Sequence, residues 1–156
     1  MTTKDIVNFI RESNAIEGVY GLKPTLQGVS AWDYLIKQNK LTPENIQIMQ
    51  GIGSEHLLEE RFSGKFRKCD VWIGERKGSD WVLIPTLIKS WCDLANNAKT
   101  EEEIQHDHIR YERIHPFGDY NGRSGRILMN WQRIKAGLPL LVIKESEKFE
   151  YYKWFK

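Results

Sequence analysis

The chain has 156 residues, of which 40% are hydrophobic and 28% charged, a balance typical of one globular domain with a substantial core. Its net charge of +2 is too small to indicate a nucleic-acid partner, and no apolar stretch is long enough to span a membrane. The first residues contain no apolar segment typical of a secretory signal, and Cys69 and Cys92 lack the spacing of a metal or redox pair. We therefore expect a cytoplasmic protein with free thiols.

Helical periodicity and capping signals predict a mainly α chain, a helical bundle in a single domain over residues 1–156. Thr42-Pro43 and the capping box that begins at Thr100 are the strongest helix starts. Thr3 and Ser30 are further candidate N-caps. Helices are predicted over residues 3–15, 31–38, 42–50 with a continuation to Glu59, 85–94, 101–114, 122–136 and 145–154. The helix that begins at Pro85 carries apolar residues at Leu87, Ile88, Trp91 and Leu94. In the last helix, we expect Phe149, Tyr152 and Trp154 to be partly buried.

A short β-hairpin interrupts the predicted helices in the middle of the chain. Residues 69–73 are rich in β-forming side chains, residues 74–78 supply turn chemistry, and residues 81–84 are again β-forming. An exposed hairpin edge can pair with an extended segment of a partner through main-chain hydrogen bonds. The sequence therefore predicts a hairpin, either structural or able to dock a partner.

Residues 115–126, His-Pro-Phe-Gly-Asp-Tyr-Asn-Gly-Arg-Ser-Gly-Arg, combine groups suited to binding phosphates. Asn121-Gly122 favours a turn whose N–H groups can form an anion-binding nest, and the N-terminus of the following helix faces the same ligand. Arg123 and Arg126 lie three positions apart on the first turn and can reach the same phosphates. Asp119 supplies the hard carboxylate oxygen that Mg²⁺ prefers. The stretch indicates triphosphate chemistry.

This stretch closely resembles the signature of the Fic family, His-Pro-Phe-x-Asp/Glu-Gly-Asn-Gly-Arg-x-x-Arg, and departs from it at Tyr120, where the family usually has Gly. The resemblance implies a Fic-type helical fold and transfer of AMP from ATP to a hydroxyl side chain of a target protein. His115 would be the general base, and Asp119 would hold Mg²⁺ between the α- and β-phosphates. Arg126 would engage the γ-phosphate, and the remaining phosphate contacts would come from Asn121, Gly122 and Arg123.

Two further segments resemble parts of self-restrained Fic proteins. Residues 65–84 are similar to the flap, a hairpin that clamps the modifiable segment of the target, and the resemblance implies docking contacts from Phe66, Arg67, Val71 and Ile73. A segment of about residues 3–18 ends in a match to the inhibitory motif Ser/Thr-x-x-x-Glu-Gly/Asn, which assigns Ser13 and Glu17 to inhibition. Glu17 would form an ion pair with Arg126 and displace the γ-phosphate. The alternative is an ordinary helix end with Gly18 after the last turn.

Tyr120 leaves other functions open. If its position needs a positive φ, a residue other than Gly is strained there, and the protein could be a Fic-fold module that binds nucleotide or protein without catalysis. If φ is negative, its N–H points at the phosphates and the phenol reshapes the mouth of the pocket. An enzyme that transfers another phosphate-bearing group, or one that removes AMP with Glu17 aligning water, also fits. The expected partners are ATP, Mg²⁺ and a target with a Ser, Thr or Tyr hydroxyl, without nucleic acid or membrane; a homo-oligomer stays open.

Overall fold

The computed structural model describes residues 1–55, 57, 59 and 61–156 of the chain. Within this part, seven α-helices and one two-stranded antiparallel hairpin form a mainly helical bundle, which confirms the predicted fold class. The helices are α1 (Thr3–Ile16), α2 (Leu22–Ile36), α3 (Pro43–Gly53), α4 (Ile84–Ala95), α5 (Glu101–Ile114), α6 (Asn121–Lys135) and α7 (Lys148–Tyr152). The hairpin pairs β1 (Trp72–Ile73) with β2 (Arg76–Lys77).

Helix α6 lies at the centre of the bundle, where it contacts α1, α2, α3 and α5. Every residue from Arg123 to Arg133 is buried, including the polar ones, so the helix is enclosed on all sides. Several of its buried polar groups are paired; the side-chain amide of Asn130, for example, exchanges two hydrogen bonds with the backbone of Leu141. A helix held in this way provides a rigid platform for whatever binds at its N-terminus.

The main core lies between α6 and the first five helices and contains several large aromatic side chains. The rings of Trp91 and Tyr111 pack with their centroids 5.2 Å apart, a contact that contributes about 0.5–1.5 kcal/mol beyond the area it buries. Of the apolar positions predicted on α4, Ile88 and Trp91 are buried, whereas Leu94 is exposed. A smaller cluster lies beneath the C-terminal segment and consists of Ile16, Ile104, Met129, Ile143 and Tyr151.

The strongest predicted helix starts are confirmed. The Thr42 hydroxyl accepts a hydrogen bond from the Asn45 N–H at the start of α3, and Thr100 forms the predicted capping box at the start of α5. Helix α1 is capped by Thr2 rather than by Thr3, because Asp5, three positions after Thr2, completes the capping box. Caps of this kind contribute about 1 kcal/mol each.

The prediction for the second helix is wrong at its start. Helix α2 begins at Leu22 rather than at Ala31, so Pro24 and Gly28 lie inside it. Pro24 falls in the first turn, where proline is tolerated. Gly28 is required by packing, because a Cβ there would lie 2.5 Å from Cγ2 of Ile10 on α1. A tertiary contact therefore overrides the local preference against a helix.

Helix α3 ends at Gly53, where the glycines of its last turn weaken the helix, and none of the described residues from Ser54 to Glu59 is helical, unlike the predicted continuation. Beyond it, Ser54, Glu55 and Leu57 lie in turns, whereas His56, Leu58 and Glu60 are outside the described residues.

The predicted hairpin is present but shorter than expected. Its second strand is Arg76–Lys77 rather than residues 81–84, because Gly74 adopts a φ of +61° and turns the chain directly after β1. The segment Trp81–Leu83 forms a 3₁₀ turn that is capped by Asp80 and runs into α4.

The C-terminal segment is less regular than predicted. Helix α7 is flanked by 3₁₀ turns over Glu145–Glu147 and Lys153–Phe155. The aromatic residue that is buried here is Tyr151, whereas Phe149 and Tyr152 are exposed and Trp154 is partly buried. Within the described ranges, no helix combines the length and the hydropathy needed to cross a bilayer.

Candidate functional site

A cleft of about 1010 Å³ opens at the N-terminal end of α6. Its walls come from the end of α1, the C-terminal end of α5, the loop over residues 115–120, the hairpin and the C-terminal segment. The fold thus collects in one cleft most of the residues that the sequence singled out: Glu17, Ile73, His115, Asp119, Asn121, Gly122, Arg123 and Arg126.

His115 ends α5 in a left-handed conformation, with a φ of +52°, and turns the chain from the helix into the loop. Its Nδ1 lies 3.1 Å from the carbonyl oxygen of Glu112. Because a carbonyl oxygen can only accept, Nδ1 carries the hydrogen and Nε2 keeps its lone pair. Burial lowers the pKa of His115, so the ring is neutral at pH 7 and able to accept a proton.

The turn at His115 is held by Arg67. Its guanidinium donates to the carbonyl oxygens of Ile114 and His115 at 3.1 and 2.6 Å. It also donates to the carbonyl oxygens of Cys69 and Ser79, which flank the hairpin. The Arg67 side chain is buried and binds backbone on both sides, so in this structure it holds the hairpin to the turn at His115, and its contact with a target stays a prediction.

The other predicted docking residues divide between the core and the cleft. Phe66 is partly buried, and its ring centroid lies 5.5 Å from that of Phe117, so it supports the motif loop while its docking role stays a prediction. Val71 is half-buried at the base of the hairpin, where its carbonyl oxygen accepts the Gly78 N–H. Of the four, Ile73 lines the cleft. A docking role on the cleft side of the hairpin therefore stays a prediction for Ile73.

The motif loop is closed by Asn121. Its Oδ1 accepts the N–H of Phe117 at 2.9 Å, and its Nδ2 donates to the carbonyl oxygen of the same residue at 2.8 Å. The amide therefore shapes the loop and keeps the second hydrogen of its Nδ2, so the implied phosphate contact of Asn121 stays a prediction. Asp119 is exposed at the loop, where its Oδ1 accepts the Tyr120 N–H at 2.6 Å and its Oδ2 remains available to a ligand.

Tyr120 adopts a φ of +67°, so the first of the two conformations considered from the sequence is the one observed. A left-handed backbone costs a residue with a Cβ about 1–2 kcal/mol. The phenol ring is 2% exposed and lies against α2 and α3, where Gly28 and Gly53 leave room for it. A Cβ at Gly53 would lie 2.5 Å from the ring. Burial of the ring offsets the backbone strain.

Arg126 is surrounded by acceptors from the protein itself. Its Nε donates to the Ser13 hydroxyl at 2.8 Å, its Nη2 to Glu17 Oε1 at 2.7 Å, and its Nη1 to the Tyr151 hydroxyl at 3.3 Å. Gly122 admits the Glu17 carboxylate to the N-terminus of α6, because a Cβ there would lie 2.5 Å from Oε1. Although burial opposes the charge, Tyr151 and Glu17 hold the pKa of Arg126 above its ordinary value.

Arg123 has a different environment, although it lies one turn away on the same helix. Its Nε and Nη1 are buried and have no hydrogen-bond partner among the described residues. Its Nη2 lies 4.0 Å from Asp119 Oδ1, and its Cζ lies 4.4 Å from the centroid of the Tyr120 ring. Burial lowers the pKa of Arg123.

Sequence reasoning missed several residues of the cleft. Glu112 lies three positions before His115 on the same face of α5, a spacing that could have revealed it. Its Oε1 is buried and finds no partner in the described part of the chain, and burial raises the pKa of Glu112 to about 7. Four further missed residues come from the irregular C-terminal segment and carry no motif: Tyr151, Tyr152, Phe155 and Lys156.

Asp119 is the candidate metal ligand. Across the ranges that the structure describes, no group of three His, Cys, Asp or Glu side chains could hold an ion. A single exposed carboxylate fits Mg²⁺ that arrives with a nucleotide, because Mg²⁺ commonly combines one or two carboxylates with phosphate oxygens and water.

The chain belongs to the Fic/DOC family, whose family model matches residues 40–132. It is 30% identical over 98 residues to a protein of Drosophila grimshawi named protein adenylyltransferase Fic, and 29% identical over 99 residues to the protein of that name from Drosophila melanogaster. These alignments cover 60% of this chain and 20% of each relative. The chain therefore spans about a fifth of the length of the curated relatives it matches.

Solved structures support the same fold. A Fic domain containing signaling protein from Bacteroides thetaiotaomicron superposes with a TM-score of 0.81 at 20% identity, over 96% of this chain and 70% of that chain. Fic-1 from C. elegans, residues 134–508, superposes with a TM-score of 0.74 at 18% identity, over 98% of this chain and 55% of that chain. The structural likeness thus extends beyond the residues that the family model matches.

Proposed function

We propose that this protein is a Fic-type protein adenylyltransferase, which transfers AMP from ATP to a hydroxyl side chain of a target protein and is restrained by Glu17. The observation that carries the proposal is the neutral imidazole of His115, which shares one cleft with two buried guanidinium groups at a helix N-terminus. The imidazole can take the proton of a hydroxyl, and the guanidinium groups can bind phosphates. The names of the relatives support the same class of reaction.

In the proposed reaction, Nε2 of His115 accepts the proton of the target hydroxyl while the hydroxyl oxygen attacks the α-phosphorus of ATP. A bond forms between that oxygen and the α-phosphorus, and the bond from the α-phosphorus to the bridging oxygen breaks. Pyrophosphate leaves with the electron pair. The first N–H groups of α6 and the Arg123 guanidinium stabilise the phosphate charge. Asp119 would hold Mg²⁺, which adds positive charge at the phosphates.

The C-terminal wall of the cleft supports a nucleotide as the phosphate-bearing ligand. Tyr152 and Phe155 line the same cavity as His115 and Arg123. Aromatic rings provide stacking surfaces for a nucleobase, and stacking tolerates different bases. We therefore expect the base to bind on this side and the phosphates to bind at the N-terminus of α6.

The proposed restraint rests on competition for one donor. Nη2 of Arg126 donates to Glu17, and a γ-phosphate at this helix N-terminus would need the same nitrogen. A carboxylate and a phosphate compete for a guanidinium because both present oxygen pairs to the same fork. The Glu17 side chain is 37% exposed, whereas that of Arg126 is 3% exposed, so the carboxylate is the partner that can move away.

ATP labelled at either the α- or the γ-phosphate tests the proposal. The Glu17→Gly variant, incubated with a cell lysate, should pass the α-label to protein and leave the γ-label in pyrophosphate, and wild type should label far less. His115→Ala in the same background is the control for a reaction at this site. Labelling from GTP, CTP or UTP instead would identify another transferred group, and tight ATP binding without transfer would favour the binding module. Loss of AMP from a protein modified beforehand would identify the reverse activity.

A further inference from the structure

The Tyr120 side chain occupies a slot that the surrounding helices leave open for it. Its ring is 2% exposed and lies between Gly28 of α2 and Gly53 of α3. A Cβ at Gly53 would lie within 2.6 Å of two ring atoms and the phenol oxygen, and one at Gly28 would lie 3.6 Å from the phenol oxygen. The ring is thus held from two sides although its backbone has a φ of +67°. A residue kept in a strained conformation by close packing has a defined orientation.

One face of this ring carries the Arg123 guanidinium, with the Cζ atom 4.4 Å from the ring centroid. Two of the three guanidinium nitrogens are buried without a hydrogen-bond partner among the described residues, and the third is 4.0 Å from Asp119 Oδ1. A buried cation needs a compensating interaction. The electron-rich ring face supplies that interaction without placing an oxygen on any of the nitrogens.

We propose that Tyr120 is a positioning residue that holds Arg123 ready for an anion by stacking instead of by hydrogen bonding. A carboxylate in the same place would have to be displaced by an incoming phosphate, as Glu17 would be at Arg126. The ring face does not compete, because it contacts the guanidinium through the central carbon, with Cζ 4.4 Å from the ring centroid, and accepts no hydrogen bond from its nitrogens. This contact therefore holds the guanidinium without using its hydrogen bonds. The inference rests on the proposed function for the identity of the anion, the triphosphate of ATP.

Calorimetric binding of Mg²⁺·ATP and of inorganic tripolyphosphate tests the proposal in the Glu17→Gly background. Tyr120→Phe retains the ring face and should bind both anions within about twofold of the parent. Tyr120→Leu fills the slot without a ring face and should bind both about tenfold more weakly. Tyr120→Gly removes the ring and also the backbone strain. It should therefore weaken anion binding, while its thermal unfolding midpoint should be no lower than that of Tyr120→Leu, which loses the ring and keeps the strain. A purely structural role would instead lower stability and affinity together.

A double-mutant cycle separates action through Arg123 from a general effect on the loop. Arg123→Ala should weaken anion binding, and adding Tyr120→Leu to it should cause little further loss, because the residue that Tyr120 positions is already absent. Full additivity of the two losses overturns the proposal, as does parental affinity in Tyr120→Leu or Tyr120→Gly. If neither anion binds the parent, the proposal and the proposed function both fail.

The two proposals can also fail separately. Binding of tripolyphosphate that depends on Tyr120, without AMP transfer to any target, would leave the positioning role intact and refute the adenylyltransferase. Active transfer together with full affinity in Tyr120→Leu would refute the positioning role alone.

Discussion

Arg123 and Arg126 lie one turn apart at the N-terminus of the same buried helix, yet their surroundings differ in kind. Arg126 donates to Ser13, Glu17 and Tyr151, and its pKa is raised by its partners despite burial. Arg123 rests on an aromatic face, and its pKa is lowered by burial. Two arginines at neighbouring positions of one helix can therefore differ in both their hydrogen-bond partners and the direction of their pKa shift.

The difference has a consequence for ligand binding. A phosphate at Arg126 would have to exchange with acceptors that the protein supplies, whereas two Arg123 nitrogens have no hydrogen-bond partner to exchange within the described residues. Leaving a buried donor unpaired costs about 1–3 kcal/mol, a cost that an anion at Arg123 would remove. We expect Arg123 to contribute to the affinity for phosphate, and Arg126 to bind phosphate only when Glu17 has moved away.

The largest expected effect is a loss of AMP transfer on a substitution at His115, which leaves both arginines in place. His115→Ala removes the proposed base and should lower AMP transfer at least about a hundredfold, because proton transfer by a positioned side chain contributes 10²–10⁴ in rate. Neither guanidinium is touched, so calorimetric affinity for ATP should change by no more than a few-fold. Undiminished labelling by this variant would contradict the assigned base, and a parallel loss of ATP affinity would show that the turn at His115 also shapes the phosphate site.

The next largest effect is on stability, and it concerns Glu112, a buried carboxyl group that interacts with Arg126. The folded protein raises the pKa of Glu112 from 4.5 to about 7, so it binds this proton more tightly than the unfolded chain does. The free energy of unfolding should therefore fall as pH rises from about 4.5 to 7, and the loss should be complete above pH 7. Glu112→Gln should remove this pH dependence and stabilise the fold at pH 8 by on the order of 2 kcal/mol.

Thermal unfolding of wild type and Glu112→Gln between pH 5 and pH 8 measures this effect. The two proteins should converge as the pH falls, because the wild-type carboxyl is then neutral. Glu102→Gln changes an exposed glutamate on the same helix and serves as the matched control. A difference between wild type and Glu112→Gln that is independent of pH would mean that the carboxyl is not the titrating group.

A third variant tests whether Glu17 is what distinguishes Arg126 in function. Glu17→Gly removes the carboxylate and leaves the guanidinium available, so target labelling should rise at least tenfold, equivalent to roughly 1.4 kcal/mol of restraint. Glu17→Gln keeps an acceptor without the charge and should give an intermediate rate. Arg126→Ala should not reproduce the gain, because it deletes the donor that the phosphate also needs. Labelling by Glu17→Gly no faster than wild type, with ATP bound normally, would reduce residues 13–18 to an ordinary helix end.

The smallest expected effect concerns Asp119, which lies beside Arg123. In the Glu17→Gly background, Asp119→Ala should weaken ATP binding about fivefold in the presence of Mg²⁺ and leave binding without the metal unchanged. Asp119→Asn keeps an oxygen for the Tyr120 N–H and should behave like the alanine variant if the charge is what matters. Equal affinity with and without Mg²⁺ in the parent and in both variants would contradict the metal assignment.

Local sequence signals account for much of the fold. The caps at Thr42 and Thr100 and the periodicity around them predicted α3 and α5, because a cap depends on residues within one turn. The start of α2 was missed, because Gly28 is set by its contact with Ile10 on another helix. The burial of Arg67 was missed for the same reason, because its acceptors are carbonyl oxygens of residues 47 and 48 positions further along the chain.

By itself, the sequence determined the chemical groups of the motif, their order and the helix that presents them, because these depend on neighbours a few positions apart. It also left two conformations open for Tyr120, and only the structure, with a φ of +67° and a slot beside Gly53, decided between them. Only the tertiary structure decided the partner of each arginine, because the hydroxyl that binds Arg126 is 113 positions away along the chain. Burial strengthens or penalises a charge according to the groups packed around it, and those groups come together only in the folded protein.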